Sequence, residues 1–245
     1  MLVGICVLPV IPMRKSPKDT SEMTNQVLFG ETFHIITKNR KWSYIELNHD
    51  QYQGWIDNKQ YELIENHIEK YQISNKQYVN IKVNNIQQPL LLGSLIPLNI
   101  RVKRKLNISE KLSFVELNLV EKWFIKIAKK YLNSPYLWGG RTPLGIDCSG
   151  YTQMVYRFFD IQLPRDANQQ IEKGKKINNY QNIKLGDLAF FAKNNKITHV
   201  GICLNKDSII HASGRVRIDR LTKTGILNEE IQSHTHLLHT IKRIL

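Results

Sequence analysis

Cysteine is scarce in this chain: only Cys6, Cys148 and Cys203 are present, scattered along 245 residues. Such spacing excludes a disulfide scaffold, and the odd number leaves at least one free thiol even if a pair forms. A reducing compartment suits that usage. Long apolar runs are missing as well. No stretch approaches the roughly 20 residues that a membrane-spanning helix needs, so no membrane span is expected. The opening "MLVGICVLPVIPM" lacks a basic flank and a small-residue cleavage site, and Gly4, Pro9 and Pro12 interrupt it. It reads as a first β-strand and not as a signal peptide, which makes cytoplasmic residence the expectation and export the alternative. Acidic residues are outnumbered, 21 Asp and Glu against 35 Lys and Arg, for a formal charge of +14. A polyanion would suit that charge. Zinc-finger spacing, an RNA-binding aromatic motif and a basic recognition helix are all absent, however, so nucleic acid is not the expected partner, and an anionic cell-wall polymer fits equally well.

What is present is enough apolar residue, 42% of the chain, for ordinary globular cores. From Gly4 to Ile64, short runs rich in β-branched and aromatic residues, such as "ETFHIITKN", "WSYIELN" and "QGWID", alternate with polar turns and predict a small all-β unit over residues 1–67. Residues 68–117 again read as short strands ("YVNIKV", "PLLLGSLIPL", "SFVEL") punctuated by Pro89, Gly93 and Pro97. They predict a second, divergent barrel or a β insertion. The cluster Arg101, Lys103, Arg104 and Lys105 in this stretch reads as one solvated strand face and its turn.

The period changes at "NLVEKWFIKIAKKYLN". Leu119, Val120, Trp123, Phe124, Ile127, Ala128 and Tyr131 recur with helical spacing, Asn118 and Glu121 form a plausible cap, and Asn133 and Pro135 end the run. A new domain, 118–245, begins here. Tyr151, Met154, Val155, Phe158 and Phe159 mark a second helix that starts at Cys148, and a third short one follows "LPRD" with Asp166 as N-cap and Gly174 as its stop. Strands follow: "DLAFFAK", "THVGICLN", "SIIHASG", "RVRIDRL" and "THLLHTIKRIL". Helices first and a meandering sheet afterwards is an α+β order.

A thiol at a helix N-terminus feels unpaired N–H groups and the positive end of the helix dipole, which favour thiolate; Cys148 is placed that way. Nucleophilic catalysis also asks for a base and a third polar group that orients it. His199 in "KITHVGICL" and His211 in "SIIHASG" lie on consecutive predicted strands, which antiparallel pairing would bring within reach of one another. The chain has eight histidines. His34, His49, His67, His234, His236 and His239 read as ordinary surface or strand residues. One cysteine and two histidines on separate elements, without a local ligand pair, make a weak zinc pattern, so neither a metal nor another cofactor is expected. Cys203 alternates with the inward residues of its strand and reads as inert core.

The blocks "YLWGGRTPLGIDCSGYTQMVYRFFDIQLPRDANQQ", "KLGDLAFF", "ITHVGICL" and "IIHASG" resemble the NlpC/P60 family of papain-like cell-wall peptidases, over roughly residues 119 to 243. The resemblance implies that Cys148 is the nucleophile, His199 the general base and His211 the residue orienting it. "FGETFHIITKNRKWSYIEL" followed by "YQGWID" is similar to a bacterial SH3-like (SH3b) barrel. The implied architecture is an α+β papain-like catalytic domain preceded by one or two small SH3-like β-barrels. This combination resembles γ-D-glutamyl-diamino acid dipeptidyl-peptidases acting on murein stem peptides with a free N-terminal L-alanine, in cell-wall turnover or recycling. Within that resemblance Asp147 and Ser149 match positions that bind the substrate amine and D-glutamate end, and Tyr52 is the tyrosine supplied by the barrel. Two other readings stand beside it: an acyltransferase or amidase on the same core, and a wall-binding module in which the barrel and positive charge do the work.

Overall fold

The computed structural model describes residues 2–65, 70–83, 85–98 and 120–244. It divides into two compact units, one of Met1–Glu116 with Trp138–Pro143, the other of Leu117–Leu137 with Leu144–Leu245. The cluster at residues 101–105, the "SFVEL" run and the Asn118 cap lie outside the described residues.

The first unit opens with β1 (Val3–Cys6), β2 (Val10–Arg14), β3 (Met23–Leu28), β4 (Thr32–Lys38), β5 (Trp42–Leu47), β6 (Gln53–Asp57) and β7 (Tyr61–Ile64). They form one antiparallel sheet in the order β3-β2-β6-β5-β4-β1-β7. Alternation drives it: Ile45 and Leu47 on β5 face inward with Ile11, Met13, Val27, Phe33 and Ile56. Register shifts at Met13/Arg14 and Ile35/Thr37 bend the sheet around this core.

The segment expected as a second barrel or insertion contributes two antiparallel ribbons, β8 (Tyr71–Ile73) with β11 (Leu95–Pro97) and β9 (Tyr78–Val83) with β10 (Ile86–Leu91). Val79, Ile81, Val83, Leu90 and Ile96 bury themselves with Phe29, so these ribbons share a core with the sheet. Gly30, at φ +81°, allows this approach: a Cβ there would fall 1.7 Å from the Leu95 carbonyl oxygen. The excursion carrying β12 (Arg141–Thr142) also belongs to this unit. Its Arg141 is fully buried, pairs with Glu31 at 2.9 Å and donates to the Gln26 carbonyl at 2.8 Å.

The second unit comprises α1 (Val120–Lys129), β13 (Gly145–Ile146), α2 (Cys148–Arg157), α3 (Ala167–Gln170), β14 (Lys175–Lys176), β15 (Leu188–Lys193), β16 (Lys196–Cys203), β17 (Ser208–Ser213), β18 (Arg215–Leu221), β19 (Gly225–Asn228) and β20 (Ser233–Arg243). Phe124, Ile127 and Ala128 form the buried stripe of α1, as its period predicts. The sheet order is β14-β20-β15-β16-β17-β18-β19, and β20 pairs with β19 as well. The N-terminal half of β20 pairs with β19 (Ile226 opposite His236) and its C-terminal half with β15 (Leu188 opposite Lys242), so one long strand closes the ring. The helix α2 lies against β16 and β17, burying Tyr151, Met154, Val155 and Tyr156.

Candidate active site

The start of α2 is built from side chains that leave their polar groups inside. Asp147 is the N-cap, extended at φ −93° and ψ 178°, and its Oδ1 accepts from the Gly150 N–H at 2.7 Å. Arg165, 1% exposed, donates from Nη1 to Asp147 Oδ1 at 3.0 Å and from Nη2 to Oδ2 at 2.5 Å. A third bond from Arg165 Nη1 reaches Ser149 Oγ at 3.0 Å. The Ser149 carbonyl accepts from Thr152 Oγ1 and Gln170 Nε2, which ties α2 to α3. Cys148 sits at the head of this assembly, buried to 7% exposure, its sulfur meeting the backbone of Val200 and Ser149. That brings the thiol to β16, one residue from His199.

On the sheet, polar groups run diagonally across three strands. His199 Nε2 lies 2.8 Å from His211 Nδ1, with the rings nearly perpendicular at 83°. His211 Nε2 lies 2.9 Å from Asp219 Oδ2. Gly201 makes room for the first of these contacts, because a Cβ there would press on His211 Cβ at 2.8 Å. On its other side, the His199 ring stacks on His236 with centroids 4.2 Å apart, and Phe191 lies opposite it in register. His199, His211 and Asp219 are all buried.

Burial sets the proton balance. It pushes the Cys148 thiol up to about 11, Asp147 adding to the rise, against the lowering by backbone contacts at Val200 and Ser149 and by Arg165. The expected lowering by the helix terminus is therefore outweighed. Burial also drives the His199 imidazole well below its ordinary value, and His211 and His236 push the same way. Burial thus opposes the charged form of both groups.

Residues 133–235 match the NlpC/P60 family model, and residues 13–60 match the model described as the bacterial dipeptidyl-peptidase SH3 domain. The chain carries an NlpC/P60 domain. Among curated relatives it is 31% identical over 119 residues to the γ-D-glutamyl-L-lysine dipeptidyl-peptidase of Bacillus cereus, covering 46% of this chain and 35% of that protein. It is 38% identical over 94 residues to a probable endopeptidase NlpC homolog of Haemophilus influenzae, covering 38% of this chain and 49% of that protein. Each match thus spans less than half of the relative. Among solved structures, an NlpC/P60 family protein from Bacillus cereus superposes with a TM-score of 0.80 at 18% identity over 99% of both chains. An NlpC/P60 endopeptidase from Photobacterium damselae does so with 0.69 at 17% identity, over 97% of this chain and 70% of the other. Both share the fold.

Within the NlpC/P60 domain, His199 and His211 are in direct contact, and Cys148 lies against the backbone of Val200, the residue after His199. Asp147 and Ser149 flank the thiol, but their side chains are turned onto Arg165 and the helix start, where both Asp147 oxygens are already engaged. These bonds hold both side chains against the helix start beside Cys148. Tyr52 belongs to the SH3-like unit, half-buried against its core, with its N–H on Asp50 Oδ1 at 3.1 Å. Two further polar groups adjoin the His199–His211 pair. Asp219 sits in "RVRIDRL", where alternation alone reads it as one more polar strand residue. His236 reads as an ordinary strand residue in the sequence, but the closure of the sheet by β20 lays it on the His199 ring. Among the described residues no group of three or more His, Cys, Asp or Glu is arranged to hold a metal ion.

Proposed function

We propose that the chain is a cysteine peptidase that hydrolyses the bond between γ-D-glutamate and the diamino acid of peptidoglycan stem peptides, releasing L-Ala-γ-D-Glu from peptides with a free N-terminal L-alanine. The observation that carries the reading is the buried thiol at the head of α2, beside β16 and its hydrogen-bonded His199–His211 pair. The NlpC/P60 and SH3 domains, and the name borne by the Bacillus cereus relative, support the substrate class.

In the proposed course, His199 takes the proton from Cys148 as sulfur attacks the γ-glutamyl carbonyl carbon. The carbonyl oxygen gathers negative charge beside the first N–H groups of α2, where the helix terminus favours an anion. The C–N bond then breaks, and His199 returns the proton to the leaving amine of the diamino acid. Water, deprotonated by His199, attacks the thioester; the acid leaves and the thiol regains its proton. His211 keeps the base oriented throughout.

The test is mass spectrometry of products from L-Ala-γ-D-Glu-L-Lys, its diaminopimelate counterpart and the N-acetylated form of each, with a Cys148→Ala control. Release of L-Ala-γ-D-Glu from the free-amine peptides alone, abolished in the variant, is the expected result. Equal cleavage of acetylated and free peptides would keep the peptidase and remove the free-alanine rule. No cleavage of any peptide would overturn the reading in favour of an acyltransferase or wall-binding role.

A further inference from the structure

The hydrogen bonds behind the base do not stop at His211. Asp219, which receives His211 Nε2 on Oδ2, accepts from Arg217 Nη2 at 2.9 Å on Oδ1, while Arg217 Nε lies between the two oxygens, 3.1 Å from Oδ1 and 2.9 Å from Oδ2. Burial works to raise the Asp219 carboxyl, but the hydrogen bonds from His211 and Arg217 outweigh it and hold the group below its ordinary value. Asp219 is thus a carboxylate, and a carboxylate only accepts. The proton between Asp219 and His211 therefore belongs to His211 Nε2. When the His211 ring carries that one N–H, its Nδ1 is an acceptor, and the proton shared between the rings belongs to His199 Nε2. His199 Nδ1 is left with its lone pair.

We propose that Asp219 is a positioning residue that, through His211, fixes the tautomer in which His199 can accept the Cys148 proton on Nδ1. The proposal rests on the roles assigned above to Cys148 and His199. The other groups facing His199 leave this order undisturbed: His236 stacks on the ring face, away from the in-plane nitrogens, and Phe191 carries no polar group. Register explains why the three polar residues meet. His211 stands opposite Arg217 on β18, and Asp219, two residues further along, shares their face of the sheet and reaches His211 diagonally.

Asp219→Asn tests the chain of donors directly. Arg217 is a donor only, and its Nη2 and Nε together hold the amide oxygen in the Oδ1 place, so the amide NH2 turns to His211 Nε2, which must become an acceptor. The His211 proton moves to Nδ1, His199 Nε2 becomes an acceptor in turn, and the His199 proton ends on the nitrogen that should receive the thiol proton. Long-range 1H–15N correlation spectra of the full chain read the tautomers, and kcat and KM on the free-amine tripeptide read the consequence. The expected result is an Nε2-protonated His199 in the wild type and an Nδ1-protonated one in Asp219→Asn. The wrong tautomer of a catalytic imidazole can cost about 10⁴-fold in turnover, so kcat should fall by about 10²–10⁴-fold with KM nearly unchanged.

Asp219→Ala supplies the control for a merely structural role. It removes the carboxylate without forcing His211 either way, so it should lose less kcat than the isosteric Asn variant. A packing role predicts the reverse order. A wild-type His199 protonated on Nδ1, or an Asn variant that keeps the wild-type tautomer and kcat, would overturn the proposal. If the wild type cleaves no peptide, the functional reading fails while the spectra still decide the tautomer.

Discussion

Replacing Asp147 by Asn separates a frame for the nucleophile from a pocket for the substrate amine. Asn caps a helix about as well as Asp, so the bond to the Gly150 N–H survives at a cost of a few tenths of a kcal/mol. The charge does not survive. Arg165 is 1% exposed and places two of its bonds on the Asp147 carboxylate, and the guanidinium cannot lose its proton. Leaving one member of such a buried pair uncompensated costs about 3–5 kcal/mol. For a unit of this size each kcal/mol moves the midpoint by about 2–4 °C, so thermal denaturation of the NlpC/P60 domain should fall by about 6–20 °C. Asp147→Asn combined with Arg165→Met removes both charges and should recover most of that loss, because apolar replacement of a buried pair is often neutral. Circular dichroism melts of the wild type, the single variants and the double variant give the cycle. The kinetic arm is the ratio of kcat/KM for free-amine over N-acetylated peptide, which the single substitution should leave unchanged. An Asp147→Asn protein that melts within about 2 °C of the wild type, or one whose preference for the free amine collapses, would refute this account.

Two further outcomes follow from burial around the thiol and the base. His199 must be neutral to accept a proton, so kcat/KM falls as pH drops through its pKa, which burial and the neighbouring His211 and His236 hold below the ordinary value. His236→Ala opens the stacked face to water and removes one of those neighbours; both changes raise the His199 pKa, so the acid limb of the profile should move to higher pH. His236 itself, lowered to about 4 by burial and His211, stays neutral above that range and adds no limb of its own. An acid limb that stays put would sink this role for the stack. For Cys148, pushed up to about 11, alkylation by iodoacetamide should quicken by about tenfold per pH unit from 6 to 9, because the thiolate is the reacting form. A rate that levels off near pH 7 would instead indicate a thiolate–imidazolium pair at rest.

The parts of the site that were legible in the sequence are those governed by short-range periodicity. Cys148 opens a helix because Asp147 precedes it as a cap and an apolar stripe follows, and the structure begins α2 at that residue. His199 and His211 fall on neighbouring strands because their runs alternate and a short turn separates them. The α+β order, with helices ahead of the sheet, was likewise written in the change of period after residue 174. The missed features depend on pairing over longer distances. Arg165 reads locally as part of the α3 cap beside Asp166; its partnership with Asp147 appears only once α2 and α3 pack. The thiolate expected from the helix terminus ignored burial, which a dipole argument on one element does not contain. Asp219 and His236 reach the base only through strand register and ring closure, and neither is encoded within a window of a few residues.

The long strand β20 has a consequence for how this domain comes into being. It follows every other strand of its sheet in the chain, yet it supplies the pairing that completes the ring and the imidazole that covers His199. During synthesis, Cys148, His199 and His211 all leave the ribosome before His236 does. Until β20 docks, β15 and β19 keep open edges and the base stands in water, with the higher proton affinity of an ordinary histidine. The final proton balance is therefore set only once β20 has been made and has docked, and a nascent chain holding Cys148, His199 and His211 still lacks the burial that lowers the proton affinity of His199.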